Sequence, residues 1–396
     1  MKETKFKDTE IGKIPEEWEV RTINSFCSVK TGPFGSMLHA EDYVAKGTPI
    51  VTTEHFKNGI LPLVGKDIPQ IGIEDLKRMS SYTLTKDDIV FSRVGSVDIN
   101  ALVTVRQKGW LFSGRVLRVR PFKQTDSLYL HYGLLKHSVR SDIVSRAVGL
   151  TMASINTKIL GETELSLPPL NEQRRIASAL TSIDNLISSL GKLIEKKKNI
   201  KQGAMQQLLT GQIRLKGFSE PWGEKKLEEV CSVKRGVRVV KRNLTTDGLY
   251  PVYQNTNFPL GYSNQYNVEA NTPFVIIGGS AGQVGICRER YWAADDCAFF
   301  ACHDIYKEYL YYVLLLNQSN ILHNVRTGTI PRLDRSFLSN MVVYISSNID
   351  EQQAIATILT KMDDEITALE AKRAKYEAIK QGMMQQLLTG KIRLIG

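Results

Sequence analysis

The chain has 396 residues, of which 42% are hydrophobic, and carries a formal net charge of +11 at pH 7. This length allows two or three domains with a core each and excludes a single small module. The excess of cations favours a polyanionic partner such as nucleic acid, although it would also serve solubility.

The first residues, MKETKFKDTE, are too charged for a secretory signal, and no apolar run approaches the roughly 18 residues that span a bilayer. We therefore expect a cytoplasmic protein with no membrane partner. Five cysteines without a CxxC pair argue against a disulfide framework and a four-ligand zinc site. The one metal-like cluster, CAFFACH at residues 297–303, is better explained as small buried residues in a strand, because no second ligand pair accompanies it.

Two regions of the chain show short apolar runs separated by turn residues, which predicts strands. In the first region these runs are TPIVTT, DIVFSRVG, ALVTVRQ and GRVLRVRP, and in the second they are TPFVIIGG, QVGICR and MVVYIS. Each region also contains one predicted apolar helix, LYLHYGLLKHSVRSDIVSRA in the first and EYLYYVLLLNQSNILHNV in the second. Each region is therefore expected to form a mixed globular domain.

A long amphipathic helix is predicted after each of these regions. Asn171 and Asp350 are placed as N-caps, and Gly211 and Gly390 as C-terminal stops, so each helix should run for about 38 residues, or roughly 57 Å. Apolar residues recur at alternating steps of four and three, the seam of a heptad coiled coil. The seam residues are Ile176, Leu180, Ile183, Ile187, Leu190 and Ile194 in the first helix, and Ile355, Leu359, Met362, Ile366 and Leu369 in the second.

The two halves of the chain are repeats of each other. KQGAMQQLLTGQIRL at residues 201–215 returns as KQGMMQQLLTGKIRL at residues 380–394, and the same offset of 179 places Glu172 on Glu351 and Tyr132 on Tyr311. WEVRTINSFCSVKTG matches WGEKKLEEVCSVKRG at a different offset, 204. The 25-residue difference must lie between these matches, where the halves share little. Each half therefore has a variable insert followed by a nearly copied segment.

Charge predicts how the two helices pair. A parallel pair in matching register would place Asp184 against Asp363 and other like charges together, whereas a flush antiparallel pair places Lys196 and its neighbours against the acidic residues 363–365, and Asp184 against Lys375. We predict an antiparallel pair with two globules near opposite ends and an approximate two-fold axis, the symmetry of DNA half-sites. There are two alternatives to this pairing. The apolar seam of each helix packs on its own globular domain, or the chain dimerises through the seams.

The chain alternates two variable domains with two near-identical helices. In this arrangement it resembles the specificity subunit of type I restriction-modification systems, as it does in the stretches KTGPFGSMLHAEDY, LPPLNEQRRIA, NIDEQQAIA and QQLLTG. The stretches GLYPVYQNT, GYSNQYN and VIIGGSAGQVG resemble a target-recognition domain of that family. The expected fold is α+β: two mixed α/β target-recognition domains at residues 1–165 and 217–345, and two repeated long helices at residues 166–216 and 346–396 that form an antiparallel coiled coil.

The resemblance implies a non-catalytic subunit without a cofactor of its own, in which each variable domain reads one half of a bipartite, asymmetric site in double-stranded DNA. The helices would set the gap and dock two methyltransferase subunits, which methylate adenines with S-adenosylmethionine. An ATP-dependent translocating nuclease subunit would complete the restriction enzyme. Alternatives are the specificity subunit of a related type IIB-like system and a coiled-coil scaffold that never touches DNA. A self-sufficient methyltransferase or nuclease is not expected, because the chain lacks the NPPY, GxGxxG, GxxxxGK[ST] and Pro-Asp motifs that such enzymes use.

Basic and small polar residues near glycine-containing turns are the candidate DNA contacts, because glycine permits close approach of the backbone. The run VKRGVRVVKR in the second domain suits a strand or loop laid against phosphates, and one bidentate arginine there could read a guanine. Solvated surface charge explains any single one of them equally well. The candidates are Lys30, Thr31, Gly32, Arg93, Ser96, Arg115 and Arg118 in the first domain, and Lys234, Arg235, Arg238, Lys241, Arg242, Arg326, Arg332 and Arg335 in the second.

Overall fold

The computed structural model describes residues 4–33, 37–149, 151–240, 242 and 244–395. The chain divides into two compact units, one made of Met1–Ser189 with Arg373–Gly396 and the other of Leu190–Lys372. Both long helices contribute to both units. Each unit therefore combines one variable domain, the start of one long helix and the end of the other.

The elements are labelled in chain order. The first unit contains β1 (Phe6–Lys7), β2 (Ile14–Pro15), β3 (Glu19–Thr22), β4 (Cys27–Thr31), β5 (Tyr43–Val44), β6 (Thr48–Val51), β7 (Gln70–Ile71), α1 (Ile73–Arg78), β8 (Ile89–Ser92), β9 (Asn100–Leu102), β10 (Leu111–Phe112), β11 (Val116–Pro121), α2 (Ser127–Leu134), α3 (His137–Ser145), α4 (Thr157–Gly161), β12 (Glu164–Leu167) and the start of α5 (Leu170–Leu208).

The second unit contains the end of α5, β13 (Trp222–Lys226), α6 (Leu227–Val230), β14 (Cys231–Arg235), β15 (Tyr250–Tyr253), β16 (Gly261–Ser263), β17 (Pro273–Ile276), β18 (Val284–Ile286), β19 (Trp292–Ala293), β20 (Cys297–Cys302), α7 (Lys307–Leu316), α8 (Gln318–His323), α9 (Arg335–Asn340), β21 (Val342–Ser346) and the start of α10 (Ile349–Leu387). The last part of α10 belongs to the first unit.

The two variable domains share one sheet topology. The antiparallel sheet β4-β11-β8-β9 of the first corresponds to β14-β20-β17-β18 of the second. In a second sheet β10 runs parallel to β6, as β19 does to β15. The inserts, which share little sequence, therefore have the same fold. Most of their length difference lies in one connection, which has 37 residues between Val51 and Ile89 but 19 between Tyr253 and Pro273.

The start of each long helix packs into a domain core, together with the end of the other helix. Ile176 and Leu180 join the core around Trp18 and Leu130, and Leu387 and Leu388 of the α10 end join the same core. In the second unit the corresponding core contains Ile355 and Leu359 with Leu208 and Leu209. Each repeated helix therefore belongs at one end to its own domain and at the other end to the other unit.

The long helices have 39 residues each, and Gly211 and Gly390 beyond their ends have φ of +71° and +69°, which confirms both as stops. Both predicted N-caps are wrong by two residues, since α5 begins at Leu170 and α10 at Ile349. Asn348 caps α10, and its side chain accepts from Glu351 N. In α5, Pro169 O accepts from Glu172 N in the first turn. Of the remaining seam residues, Ile183, Leu190, Ile194 and Ile366 are buried, and Ile187, Met362 and Leu369 are half-buried.

The helices pair antiparallel in each unit, as the charges predicted. Lys380 Nζ lies 2.6 Å from Asp184 in the first unit, and Lys201 Nζ lies 2.5 Å from Asp363 in the second. The flush register is wrong, because Asp184 meets Lys380 rather than Lys375. Packing decides the register: the leucines at the end of each repeat must reach the domain core. Further pairs in the second unit join Lys197 to Glu365 and Lys198 to Glu370, both at 2.7 Å.

Each predicted domain helix is two helices. The first breaks at Lys136, whose ψ of 133° is extended, so α2 and α3 are separate. The second breaks at Asn317, whose side-chain amide donates to Val313 O. The Tyr132 hydroxyl of α2 donates to Asp184, and the Tyr312 hydroxyl of α7 donates to the equivalent Asp363. Tyr132 therefore corresponds to Tyr312 and not to Tyr311, which the offset of 179 predicted.

The CAFFAC stretch forms strand β20, with Cys297 fully buried, as predicted. Within the described ranges, no group of His, Cys, Asp or Glu side chains has an arrangement that would hold a metal ion. No helix in those same ranges has the length and apolar character that crossing a membrane requires.

Candidate nucleic-acid interface

A buried carboxylate holds the junction between each variable domain and its long helix. Glu172 accepts from Trp18 Nε1 at 3.0 Å and, through both oxygens, from Arg393 at 2.7 and 2.8 Å. Glu351 accepts in the same way from Trp222 Nε1 at 3.0 Å and from Arg214 at 2.7 and 2.9 Å. We call each set a corner cluster. Each arginine comes from the QIRL or KIRL that follows the other long helix, so each repeat completes the junction of the other.

The glutamine next to each of these glutamates ties the same junction together. The Gln173 side chain accepts from Asp126 N at 2.9 Å, at the start of α2, and donates to Pro168 O at 2.9 Å. Gln352 accepts from Tyr306 N at 2.8 Å, at the start of α7, and donates to Ser346 O at 2.8 Å. The Glu-Gln pair in the two motifs therefore fixes the domain helix and the last strand to the long helix.

A second duplicated contact involves the lysine of the repeated KQG. The Tyr132 hydroxyl donates to Asp184 at 2.8 Å, and Lys380 binds the same carboxylate. In the second unit the Tyr312 hydroxyl donates to Asp363, also at 2.8 Å, and Lys201 binds it. The lysine and the arginine of each repeated segment therefore both bind carboxylates on the opposite helix.

The corner cluster makes the stability of the second unit depend on pH. Burial raises the pKa of the Glu351 carboxyl, but hydrogen bonds from Arg214, Ser346 and Trp222 outweigh it and hold the pKa below its ordinary value. Because the folded-state pKa is the lower one, the carboxylate contributes stability above the unfolded-state pKa of about 4.3 and loses it as the pH falls through the folded-state pKa.

We therefore expect the difference in unfolding free energy between wild type and Glu351→Gln to be largest near neutral pH and to shrink below about pH 4. Urea denaturation over a pH series measures it. A difference that stays constant down to about pH 3 would show that Glu351 is not held as a carboxylate by this cluster.

In each variable domain the connections at one end of the sheets come together, and we call this surface the loop face. Five backbone hydrogen bonds assemble it, and they recur at equivalent positions in both domains. In the first domain they are Gly32 N to Val116 O, Arg93 N to Arg115 O, Gly95 N to Ala153 O, Ser113 N to Val51 O and Ile155 N to Arg93 O. In the second they are Gly236 N to Cys297 O, Ile277 N to Asp296 O, Gly279 N to Pro331 O, Ala294 N to Tyr253 O and Leu333 N to Ile277 O.

Glycines make this backbone possible. Gly95 and Gly279 have φ of +82° and +84°, a region that side chains disfavour. A Cβ on Gly32 would lie 2.1 Å from Ser113 O, and one on Gly236 would lie 2.1 Å from Ala294 O. The loop faces therefore share a backbone that depends on glycine. The side chains on it differ, with Arg93 and Arg115 in one domain replaced by Ile277 and Asp296 in the other.

The predicted contacts of the first domain divide by exposure. Arg93 is tied down, since Nη1 donates to Gly114 O at 2.9 Å and to Thr31 Oγ1 at 3.4 Å, and Nε donates to Ile155 O at 3.3 Å. Gly32 is buried and shapes the backbone, whereas Ser96 and Arg115 are exposed. Arg115 has no side-chain partner among the described residues.

Lys30 and Arg118 lie beside each other in β4 and β11, away from the loop tips. Lys30 Nζ lies 4.3 Å from the Tyr82 ring centre and donates to Ser81 O, and desolvation, with the charges of Arg118 and Arg120, lowers its pKa. The burial of Arg118 argues against its predicted contact with DNA. The residue is 6% exposed, because β11 is a central strand buried on both faces, and its guanidinium packs over Phe112.

In the second domain three predicted arginines lie at the loop face. Arg235 donates to Asp295 O at 2.7 Å, Arg332 lies 3.8 Å from Asp296, and Arg326 is joined to Arg332 by two backbone hydrogen bonds. The remaining candidates Lys234, Arg238, Arg242 and Arg335 are exposed, and Lys241 lies outside the described residues.

Sequence reasoning missed the acidic residues of this surface. Asp295 and Asp296 occupy the turn that Gly114 and Arg115 occupy in the first domain, and Asp296 pairs with Arg332. The signal was the AADD stretch directly before β20, which places two acidic residues in the turn next to the central strand.

The model of one protein family, the type I restriction modification DNA specificity domain, matches the chain twice, over residues 15–202 and 219–381. The chain belongs to this family. It is a specificity subunit with two target-recognition domains, and such a subunit is not itself an enzyme.

Relatives and solved structures agree over nearly the whole length. The putative type I restriction enzyme MjaX specificity subunit of Methanocaldococcus jannaschii is 27% identical over 99% of this chain and 98% of the relative. The MjaVIII specificity subunit of the same organism is also 27% identical, over 99% of this chain and 97% of the relative.

The crystal structure of a type I restriction-modification S subunit from M. genitalium matches the fold with a TM-score of 0.68 at 18% identity, covering 93% of this chain and 96% of that one. A chain from a structure concerned with complex assembly and conformational transition of the type I R-M system matches with a TM-score of 0.55 at 14% identity, covering 96% and 99%. These similarities support the same fold for this specificity subunit.

Proposed function

We propose that each variable domain reads one half of a bipartite, asymmetric DNA site. The observation that carries this proposal is the loop face, where five recurring backbone hydrogen bonds present different side chains in the two domains. Base edges are distinguished by particular side chains, so one scaffold with two side-chain sets reads two different half-sites. The exposed cations Arg115, Lys234, Arg238, Arg242 and Arg335 supply the contacts to bases and phosphates.

The exposed residues of the repeated segment support the inference that two copies of one partner bind. Four other residues of the segment are explained by contacts within the chain, since Lys201 and Arg214 bind carboxylates and Leu208 and Leu209 enter the core. The identical glutamines that remain are exposed on both copies, Gln202 and Gln206 on α5 and Gln381 and Gln385 on α10. Equal surfaces suit equal partners, which in a type I system are two methyltransferase subunits.

In this proposal the long helices also set the gap between the half-sites. An ATP-dependent restriction subunit, the translocase and nuclease, joins the assembly on double-stranded DNA. The functional boundaries are residues 1–165 and 217–345 for the readers and 166–216 and 346–396 for the repeated helices. The complex acts in the cytoplasm, where chromosomal and invading DNA meet the methyltransferase.

Exchanging residues 33–125 for the counterpart of another specificity subunit should change one half-site and leave the other intact, because the loop face of the second domain keeps its side chains. The assembled complex with its methyltransferase subunits is expressed in cells, and methylated adenines are mapped by sequencing. Exchange of residues 237–304 is the matched control and should change the opposite half-site.

If both half-sites changed with either exchange, the division of reading between the domains would be wrong. Duplex binding by the same complex over a salt series tests DNA contact itself. Its affinity should fall steeply as salt rises, since phosphate contacts release counterions. Affinity that is insensitive to salt would favour a scaffold that does not bind DNA.

A further inference from the structure

The turn before the central strand of each variable domain carries opposite charges in the two domains. Arg115 O accepts from Arg93 N at 3.0 Å in the first, and Asp296 O accepts from Ile277 N at 2.8 Å in the second. The two residues therefore occupy the same backbone position on the loop face. Arg115 presents a guanidinium there, whereas Asp296 presents a carboxylate that lies 3.8 Å from Arg332.

A phosphate contact shared by the two domains does not explain this difference. The DNA backbone is negative in any sequence, so a carboxylate at a position that meets phosphate in both half-sites would be repelled. Base edges differ, because a guanine offers two acceptors to an arginine whereas cytosine offers an amino donor to a carboxylate. Opposite charges at one backbone position are therefore expected of a position that faces bases.

We propose that Arg115 is a specificity-determining residue of the first domain and contacts the O6 and N7 acceptors of a guanine in the major groove. This rests on the function proposed above. Arg115 is exposed, and none of the described residues competes with a base edge for its planar pair of donors.

The surroundings of Arg115 fit this role. It lines a cleft of about 600 Å³ together with Arg93, Glu54 and His55. The Arg93 guanidinium donates to Gly114 O at 2.9 Å, next to Arg115 in the chain, and to Ile155 O. Arg93 is thereby a positioning residue that holds the turn, while Arg115 remains available for the DNA.

The test uses the full chain assembled with its methyltransferase subunits and a map of methylated adenines in cells. Arg115→Ala should relax recognition at a single base pair of the first half-site, with a loss of discrimination of about 5- to 150-fold, and should leave the second half-site unchanged. Arg115→Lys keeps the charge without the planar fork and should also lose discrimination.

The matched control is Arg106→Ala, which removes another exposed arginine of the same domain. Arg106 follows β9, whose Leu102 pairs with Ile89, at the opposite end of β8 from Ser92, which pairs with Val116. Its methylation map should equal that of wild type. Thermal unfolding of all three variants should match wild type, since both arginines are exposed.

Three results would overturn the inference: an unchanged map for Arg115→Ala, a uniform loss of methylation at all sites, and a wild-type map for Arg115→Lys, which would indicate a contact through charge alone. The proposed function fails separately, if the wild-type complex itself yields no bipartite methylated site.

Discussion

Arg393→Ala should lower the free energy of unfolding of the first unit by about 3 kcal/mol or more, because it leaves the Glu172 carboxylate buried without its cation. The Arg393 side chain is 6% exposed and that of Glu172 is 2% exposed. The Trp18 indole donates one hydrogen bond, which cannot replace the two that the guanidinium provides. Urea denaturation followed by the tryptophan fluorescence of this cluster measures the change.

Arg373→Ala is the control, since Arg373 lies on the same helix and forms an exposed pair with Glu377. Such a pair contributes about 0.3 to 0.5 kcal/mol. Arg214→Ala removes the equivalent cation of the second unit, where the side chain is 31% exposed, and should cost less than Arg393→Ala. Equal effects of Arg393→Ala and Arg373→Ala would mean that the corner cluster does not stabilise the junction.

Leu388→Ala should destabilise the first unit by about 2 to 5 kcal/mol, the usual range for a leucine removed from a core. Leu388 is 1% exposed and packs with Trp18 and Leu180, although it lies far from both in the sequence. The expected loss arises from the lost apolar burial and from the cavity that remains. Chemical denaturation of the full chain gives the value.

Leu186→Ala is the matched control, because Leu186 lies in the same unit on α5 and is 38% exposed. A half-exposed site can relax into solvent, so its loss should be below about 1 kcal/mol. If the two variants lost equal stability, the end of the repeat would not belong to the domain core, and its identity in both copies would need another explanation.

The long helices and their direction could be predicted from the sequence, because they depend on patterns of neighbouring residues. Heptad spacing predicted the two helices, and alternating charge predicted their antiparallel direction, since charge complementarity acts along an entire helix face. The register of the two helices could not be predicted from the sequence, because lysines recur along both helices and several registers pair them with acidic residues. The Tyr132 hydroxyl and the buried Leu388 select the one observed.

The residues proposed to face DNA could be predicted from the sequence only in part. Arg115 and Arg118 stand in one run, GRVLRVRP, yet one is exposed and the other is buried in a central strand. An alternating pattern separates the two faces of a strand only when one face meets solvent, and β11 is buried on both.

The sequence alone determined that this chain is duplicated, with two long helices and two unlike inserts, because repeats, heptad spacing and charge can be read directly from the order of the residues. Its motifs added the resemblance to a specificity subunit. Only the tertiary structure decided that the unlike inserts share one fold, that each repeat completes the junction of the other, and which arginines face outward. Backbone hydrogen bonds assemble the loop faces and do not depend on side-chain identity, while the corner clusters join residues that are remote in the chain. Neither kind of contact leaves a local signal.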